Sequence, residues 1–206
     1  MSYIQIVKPK APVIVDVDLT FVDSGSPWMK WLELVYGVAP DWTKGPGNGQ
    51  VHYNLSKYFP EPKVHQIDAY EFWEDPYLYD KLVPMVGAVE ALEEIKRAGH
   101  PIRFVSFCKN GHFSSKARML KRYTSHFLDL EKGSTGDGFY ATKVKSGVAG
   151  GVIIDDRHQF LNQFAADVLK IKFDTVYTQD EPVQEGGYDL VTQNWTEIAP
   201  FVIEYA

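Results

Sequence analysis

Two aspartates, Asp16 and Asp18, stand two residues apart at the end of the apolar run Val13-Ile14-Val15, and the hydroxyl of Thr20 follows two residues later. Like charges that close at the tip of a buried segment are costly unless a cation or a reaction requires them. A second apolar run, Gly151-Val152-Ile153-Ile154, also ends in an acid pair, Asp155-Asp156. Acids delivered at the carboxyl ends of two apolar strands point to phosphoryl transfer with a divalent metal, where positioning and charge neutralisation do most of the work. In such a site Asp16 can attack phosphorus. Asp18 can protonate the leaving oxygen and later deprotonate the attacking water. Mg²⁺, a hard cation that prefers oxygen ligands, suits the space between Asp16 and Asp156. Ser106 can hydrogen-bond a phosphoryl oxygen, and a lysine, Lys143 or Lys145, can neutralise the charge that builds on phosphorus.

These groups need elements that bring them together. The β-branched run from Val13 reads as a strand buried on both faces, the apolar Val152–Asp155 as a second buried strand, and Ile102–Ser106 and Leu169–Phe173 as further strands. Helical spacing is expected over Val86–Ala98, closed by Gly99, over Ser114–Tyr123, near Gln159–Ala166 and over Asn194–Tyr205, where Pro200 would kink the helix. Strands alternating with helices predict an α/β fold with a doubly wound parallel sheet, whose ligand sits beyond the carboxyl ends of its strands. All the candidate polar residues fall there. Residues 21–82 carry no buried-strand pattern. Helices are expected there over Pro27–Tyr36, stopped by Gly37, and over Val64–Trp73, with a turn cluster at Gly45-Pro46-Gly47-Asn48-Gly49 between them. This segment reads as a small helical cap inserted into a core made of residues 1–20 and 83–206.

The chain has 206 residues, 45% of them hydrophobic, enough for a sizeable core. A net charge of −6 argues against a nucleic-acid polymer as partner. No apolar run is long enough to span a membrane, and Met1-Ser2-Tyr3-Ile4 lacks a signal-peptide layout. The single Cys108 cannot form an internal disulfide, which favours a reducing, cytoplasmic setting.

The ordered set Asp16-Val17-Asp18-Leu19-Thr20, Ser106 after an apolar strand, a lysine, and Ile153-Ile154-Asp155-Asp156 resembles the haloacid-dehalogenase-like (HAD) phosphohydrolase superfamily. Within it the chain is most similar to the 5'(3')-deoxyribonucleotidases. The points of similarity are Asp23, the stretch Leu82-Val83-Pro84-Met85-Val86-Gly87-Ala88, and Thr142-Lys143-Val144-Lys145 leading into Ile154-Asp155-Asp156-Arg157. The resemblance implies a Rossmann-like HAD-type sheet with a small cap after its first strand. It implies Asp16 as nucleophile and metal ligand, and Asp18 as acid/base that coordinates through its backbone carbonyl. Asp156 is then the direct metal ligand and Asp155 its support. The family places its lysine ten residues before the first acid of the last motif, which selects Lys145 over Lys143. The implied activity is Mg²⁺-dependent hydrolysis of a small phosphomonoester, a (deoxy)nucleoside monophosphate, by a homodimer. The sequence departs from the family pattern at Leu19, where glycine is usual, and at Phe107, where a second hydroxyl commonly follows the serine. Both departures bear on nucleotide selectivity.

Phe21 and Trp28 follow the catalytic loop most closely, so they are first candidates to stack on a nucleobase; the other aromatics of the cap read mainly as its core. Arg157 is a candidate for substrate phosphate or ribose, against a surface ion pair. His112 follows Ser106 and could point at the site, against the plainer reading of a helix-start residue in an exposed loop. Two other readings stay open: a phosphatase for another small monoester such as a sugar phosphate, and a catalytically silent binding protein on the same scaffold.

Overall fold

The computed structural model describes residues 10–109, 111–131, 136–177 and 187–206. The start Met1-Ser2-Tyr3-Ile4, on which the no-leader expectation rests, lies outside them. Six strands form one parallel sheet in the order β3-β2-β1-β4-β5-β6. They are β1 (Val13–Val15), β2 (Ile102–Ser106), β3 (Gly138–Ala141), β4 (Val152–Asp155), β5 (Leu169–Phe173) and β6 (Leu190–Thr192). The four expected strands are the four central ones. They are buried on both faces; β1 and β4 read as apolar runs, whereas β2 carries Arg103 and β5 the buried Lys170 and Lys172. The two edge strands have no such pattern: β3 is mostly exposed and β6 has three residues.

Helices cover both faces, as a doubly wound sheet requires. The helices are α1 (Gly25–Tyr36), α2 (Glu61–Gln66), α3 (Ala88–Arg97), α4 (His112–Thr124), α5 (His158–Leu161) and α6 (Trp195–Tyr205). Strand alternation divides the core: Val13, Val15, Val152 and Ile154 pack with buried residues of α3, α4 and α6, while Ile14 and Ile153 pack with Leu161 and Phe164 on the other face. α6 runs through Pro200 to Tyr205. α5 ends at Leu161, well short of Ala166.

Residues 21–82 hold α1, α2 and four short 3₁₀ turns. The expected helix Val64–Trp73 is two pieces. α2 stops at Gln66, Ile67 is extended, and Asp68 caps a 3₁₀ turn, Ala69–Glu74, by accepting from the Tyr70 amide. An aspartate offering its side chain to the backbone two residues on competes with helix continuation. α1 ends as expected, with Gly37 left-handed at φ 64°. The two ends of the segment meet: Val22 bridges Pro84, and the Met85 amide donates to the Phe21 carbonyl at 2.8 Å. Among the described residues no helix is long and apolar enough to cross a membrane.

Candidate active site

Register brings the acids together. Val15 pairs with Ile154 and with Phe104, so Asp16 lies level with Asp155, and Ser106 closes β2 one step further out. The Asp16 amide continues the ladder, donating to the Ile154 carbonyl at 3.0 Å. Beyond Asp18 the chain turns back sharply, with Phe21 and Val22 amides both donating to the Val17 carbonyl. That turn forces Leu19 to φ 58°, a left-handed conformation that suits glycine and costs other residues roughly 1–2 kcal/mol. Its side chain is almost fully buried, and that burial offsets the strain.

Two lysine-centred groups organise the site. Buried Lys145 reaches Asp16 Oδ1 at 2.7 Å and Asp155 Oδ2 at 2.5 Å. Burial works against its charge, but Asp155 and Asp16 outweigh it and hold the ammonium protonated. Asp155 also accepts from the Arg157 amide at 2.9 Å, so it orients the lysine and the loop. The second group centres on Lys116 of α4. Its Nζ donates to Asp18 Oδ2 at 2.6 Å, Ser106 Oγ at 2.7 Å and the Phe107 carbonyl at 2.8 Å. Tyr79 donates to the other oxygen of Asp18 at 2.7 Å. Burial pushes the Asp18 carboxyl up, but Lys116 and Tyr79 more than offset this, and it titrates below the ordinary carboxylate range.

Asp156 is the unpaired member. It is buried, and neither side-chain oxygen has a hydrogen-bond donor. Burial and the charges of Asp155 and Asp16 push its proton affinity well above the ordinary value. Ligand oxygens of Asp16, Asp155 and Asp156 lie within 4.8 Å of one another. A donor set of hard oxygens with two orphaned lone-pair bearers fits a small divalent cation.

Asp16, Asp18, Ser106, Lys145 and Asp156 form the floor of a cavity of about 520 Å³, with Asp155 and Lys116 behind them. Its walls carry six aromatic rings, those of Tyr53, Tyr70, Trp73, Tyr79, Phe107 and Phe160, and Lys109, Lys143 and Arg157 add positive charge. Arg157 lies 4.4 Å from the Tyr53 ring centroid, joining the 21–82 segment to the loop after β4. Lys109 pairs with Glu74 across the same cleft at 2.5 Å.

Of the candidates named from sequence, Asp16, Asp18, Ser106, Lys145, Asp155 and Asp156 converge, and Arg157 borders the cavity. Lys143 also borders it, with its ammonium 4.1 Å from the Phe107 ring centroid, away from the acids. Phe21 and Trp28 require correction, because neither lines the cavity. The turn after Asp18 sends the Phe21 ring back beneath the sheet, edge-on to Phe104 at 5.1 Å. Trp28 is buried behind the wall, donating its indole N–H to the Ala69 carbonyl and packing on Tyr70 and Trp73. The aromatic surface comes instead from Tyr53, Tyr70 and Trp73. His112 is not in an exposed loop: it is buried edge-on to Tyr79 and borders the cavity, with burial and Lys116 lowering its proton affinity. Lys116 and Tyr79 were missed. For Lys116 there was a signal, a lysine in the same helical stripe as Met119 and Leu120.

Neither a protein-family model nor a curated protein sequence matches the chain. Solved structures do share its fold. A HAD family hydrolase from Deinococcus radiodurans R1, with bound phosphate and sodium, aligns over 95% of this chain and 96% of its own with TM-score 0.59 and 18% identity. A hydrolase from Pseudomonas syringae aligns over 95% and 99% with TM-score 0.56 and 14% identity. CbbY from Rhodobacter sphaeroides, in complex with phosphate, aligns over 91% and 95% with TM-score 0.55 and 13% identity. The fold is therefore that of HAD hydrolases.

Proposed function

We propose that the protein is a phosphomonoesterase that works through an aspartyl-phosphate and acts on nucleoside monophosphates. The observation that carries the chemistry is Asp16, bonded to Lys145 at the cavity floor beside an Asp156 whose buried oxygens have no donor. An Asp16 oxygen attacks phosphorus and the ester P–O bond breaks. Asp18 gives its proton to the departing oxygen, then takes one from the water that attacks the phospho-aspartate. Asp18 rests ionised, ready for the second half. A phosphate dianion arriving beside it offsets the field of Lys116 and raises its proton affinity for the first half. Ser106 donates to a phosphoryl oxygen, and Lys145 neutralises charge at the reaction centre. Mg²⁺ held by Asp16, Asp156 and the Asp18 backbone carbonyl, with Asp155 in support, would screen nucleophile from phosphate and polarise the phosphoryl group.

The aromatic walls support a nucleobase, because rings hold a base face without reading its edge. Segment 21–82 acts as the cap that supplies four of those rings, Tyr53, Tyr70, Trp73 and Tyr79. A sugar phosphate is the second reading, favoured by the cations Lys109, Lys143 and Arg157 at the walls. Phosphate release measured across nucleoside monophosphates and sugar phosphates, with Mg²⁺ and with chelator, decides between them. Asp16→Asn is expected to abolish Mg²⁺-dependent release with an unchanged circular-dichroism spectrum; turnover at the wild-type rate would remove Asp16 as nucleophile.

A further inference from the structure

Resting on the reading of Asp18 as the acid that protonates the leaving oxygen, we propose that Tyr79 is a positioning residue for that acid, through the bond from its phenol to Asp18 Oδ1. An aspartate carboxyl turns readily about its last torsion, so proton delivery depends on what fixes that torsion. Lys116 and Ser106 hold Oδ2. They leave the carboxyl free to swing about that contact, and the 2.7 Å bond from Tyr79 to Oδ1 removes this freedom. An ionised carboxylate has about four acceptor positions. With these bonds made, one position remains on Oδ1 to carry the proton that the leaving oxygen takes.

The phenol is itself immobilised. Tyr79 is 1% exposed, the Lys116 ammonium lies 4.6 Å from its ring centroid, and His112 packs edge-on at 5.3 Å. Its 3₁₀ turn, Leu78–Lys81, is tied to α4 by Arg118, which donates to both Asp80 carboxylate oxygens, and by Arg122, which donates to the Asp80 carbonyl at 2.9 Å.

General acid catalysis contributes typically 10²–10⁴-fold, and only where the leaving group needs a proton. An alkyl alcohol such as a nucleoside 5'-hydroxyl needs one, whereas p-nitrophenolate departs without it. The test is kcat/KM, which reports ester cleavage, for Tyr79→Phe on a nucleoside 5'-monophosphate and on p-nitrophenyl phosphate. The loss on the alkyl ester is expected to be about tenfold and at least fivefold greater than on the aryl ester. In an Asp18→Asn background the same change should cost nothing further on the alkyl ester. Equal losses on the two esters, or none on either, would overturn the assignment, and retained aryl turnover reports that the variant folds. A wild-type protein that cleaves neither these esters nor a sugar phosphate would instead remove the phosphatase reading, and the positioning role with it.

Discussion

Asp156, the proposed metal ligand, sets the demands of folding against those of that role in one side chain. Buried without a donor beside two other acids, it titrates well above its ordinary value of 3.8. A group whose proton affinity rises on folding stabilises the protein fully below its unfolded value and loses that contribution as pH rises through the folded one. Metal-free protein should therefore melt lower as pH is raised from about 5 to 8, and Mg²⁺ should recover the loss. Asp156→Asn should flatten this dependence, raise metal-free stability by on the order of 1–3 kcal/mol, and abolish the Mg²⁺ response. Thermal melts with and without chelator measure all three. The same residue was legible in the sequence because a strand pattern announced where it had to point. Phe21 shows the limit of that inference: closeness in sequence to Asp18 says nothing of direction, and a reversing turn aims the ring at Phe104. Lys116 and Tyr79 were hidden for a related reason. They meet Asp18 from 98 and 61 residues away, and only packing sets that meeting.

Among elements, legibility followed burial. β1 and β4 announce themselves because both faces are apolar, and β2 and β5 because apolar residues alternate with Arg103, Lys170 and Lys172. β3 and β6 do not, since an edge strand is specified by its neighbour's hydrogen bonds more than by its own side chains. The spacing of β1 and β4 rests on a detail of composition, the pair Gly150-Gly151. A Cβ built at Gly151 would lie 2.5 Å from that of Ala11, and one at Gly150 2.7 Å from Ile14. These strands set the distance between Asp16 and Asp155. Gly151→Ala should cost about 1–3 kcal/mol, the usual penalty of overpacking. It should also lower kcat more than a comparably destabilising change remote from β1 and β4. Chemical denaturation alongside steady-state kinetics separates the two effects.

At the scale of the molecule, the cavity lies between segment 21–82 and the sheet, and a few ties cross it. The Lys109–Glu74 pair is partly exposed, with side chains 35% and 64% accessible, so its contribution to stability is about 1 kcal/mol or less. Glu74→Gln should leave the melting temperature within about 2 °C. It should raise KM by roughly twofold to fivefold, since a weaker tie populates the closed cleft less. Equal KM values would show that this pair does not hold the cleft shut.

The anchoring of the Tyr79 turn has a consequence for how the cleft can work. Because Arg118 and Arg122 rivet Asp80 to α4, the perch of the phenol belongs mechanically to the sheet's side. A hinge for the rest of the insert would then fall ahead of Leu78, near Asp75-Pro76. If the cap and acid roles proposed above hold, swinging that lobe aside to admit a molecule leaves the Tyr79–Asp18 bond in place, and gatekeeping and bond-breaking are tuned by separate mutations.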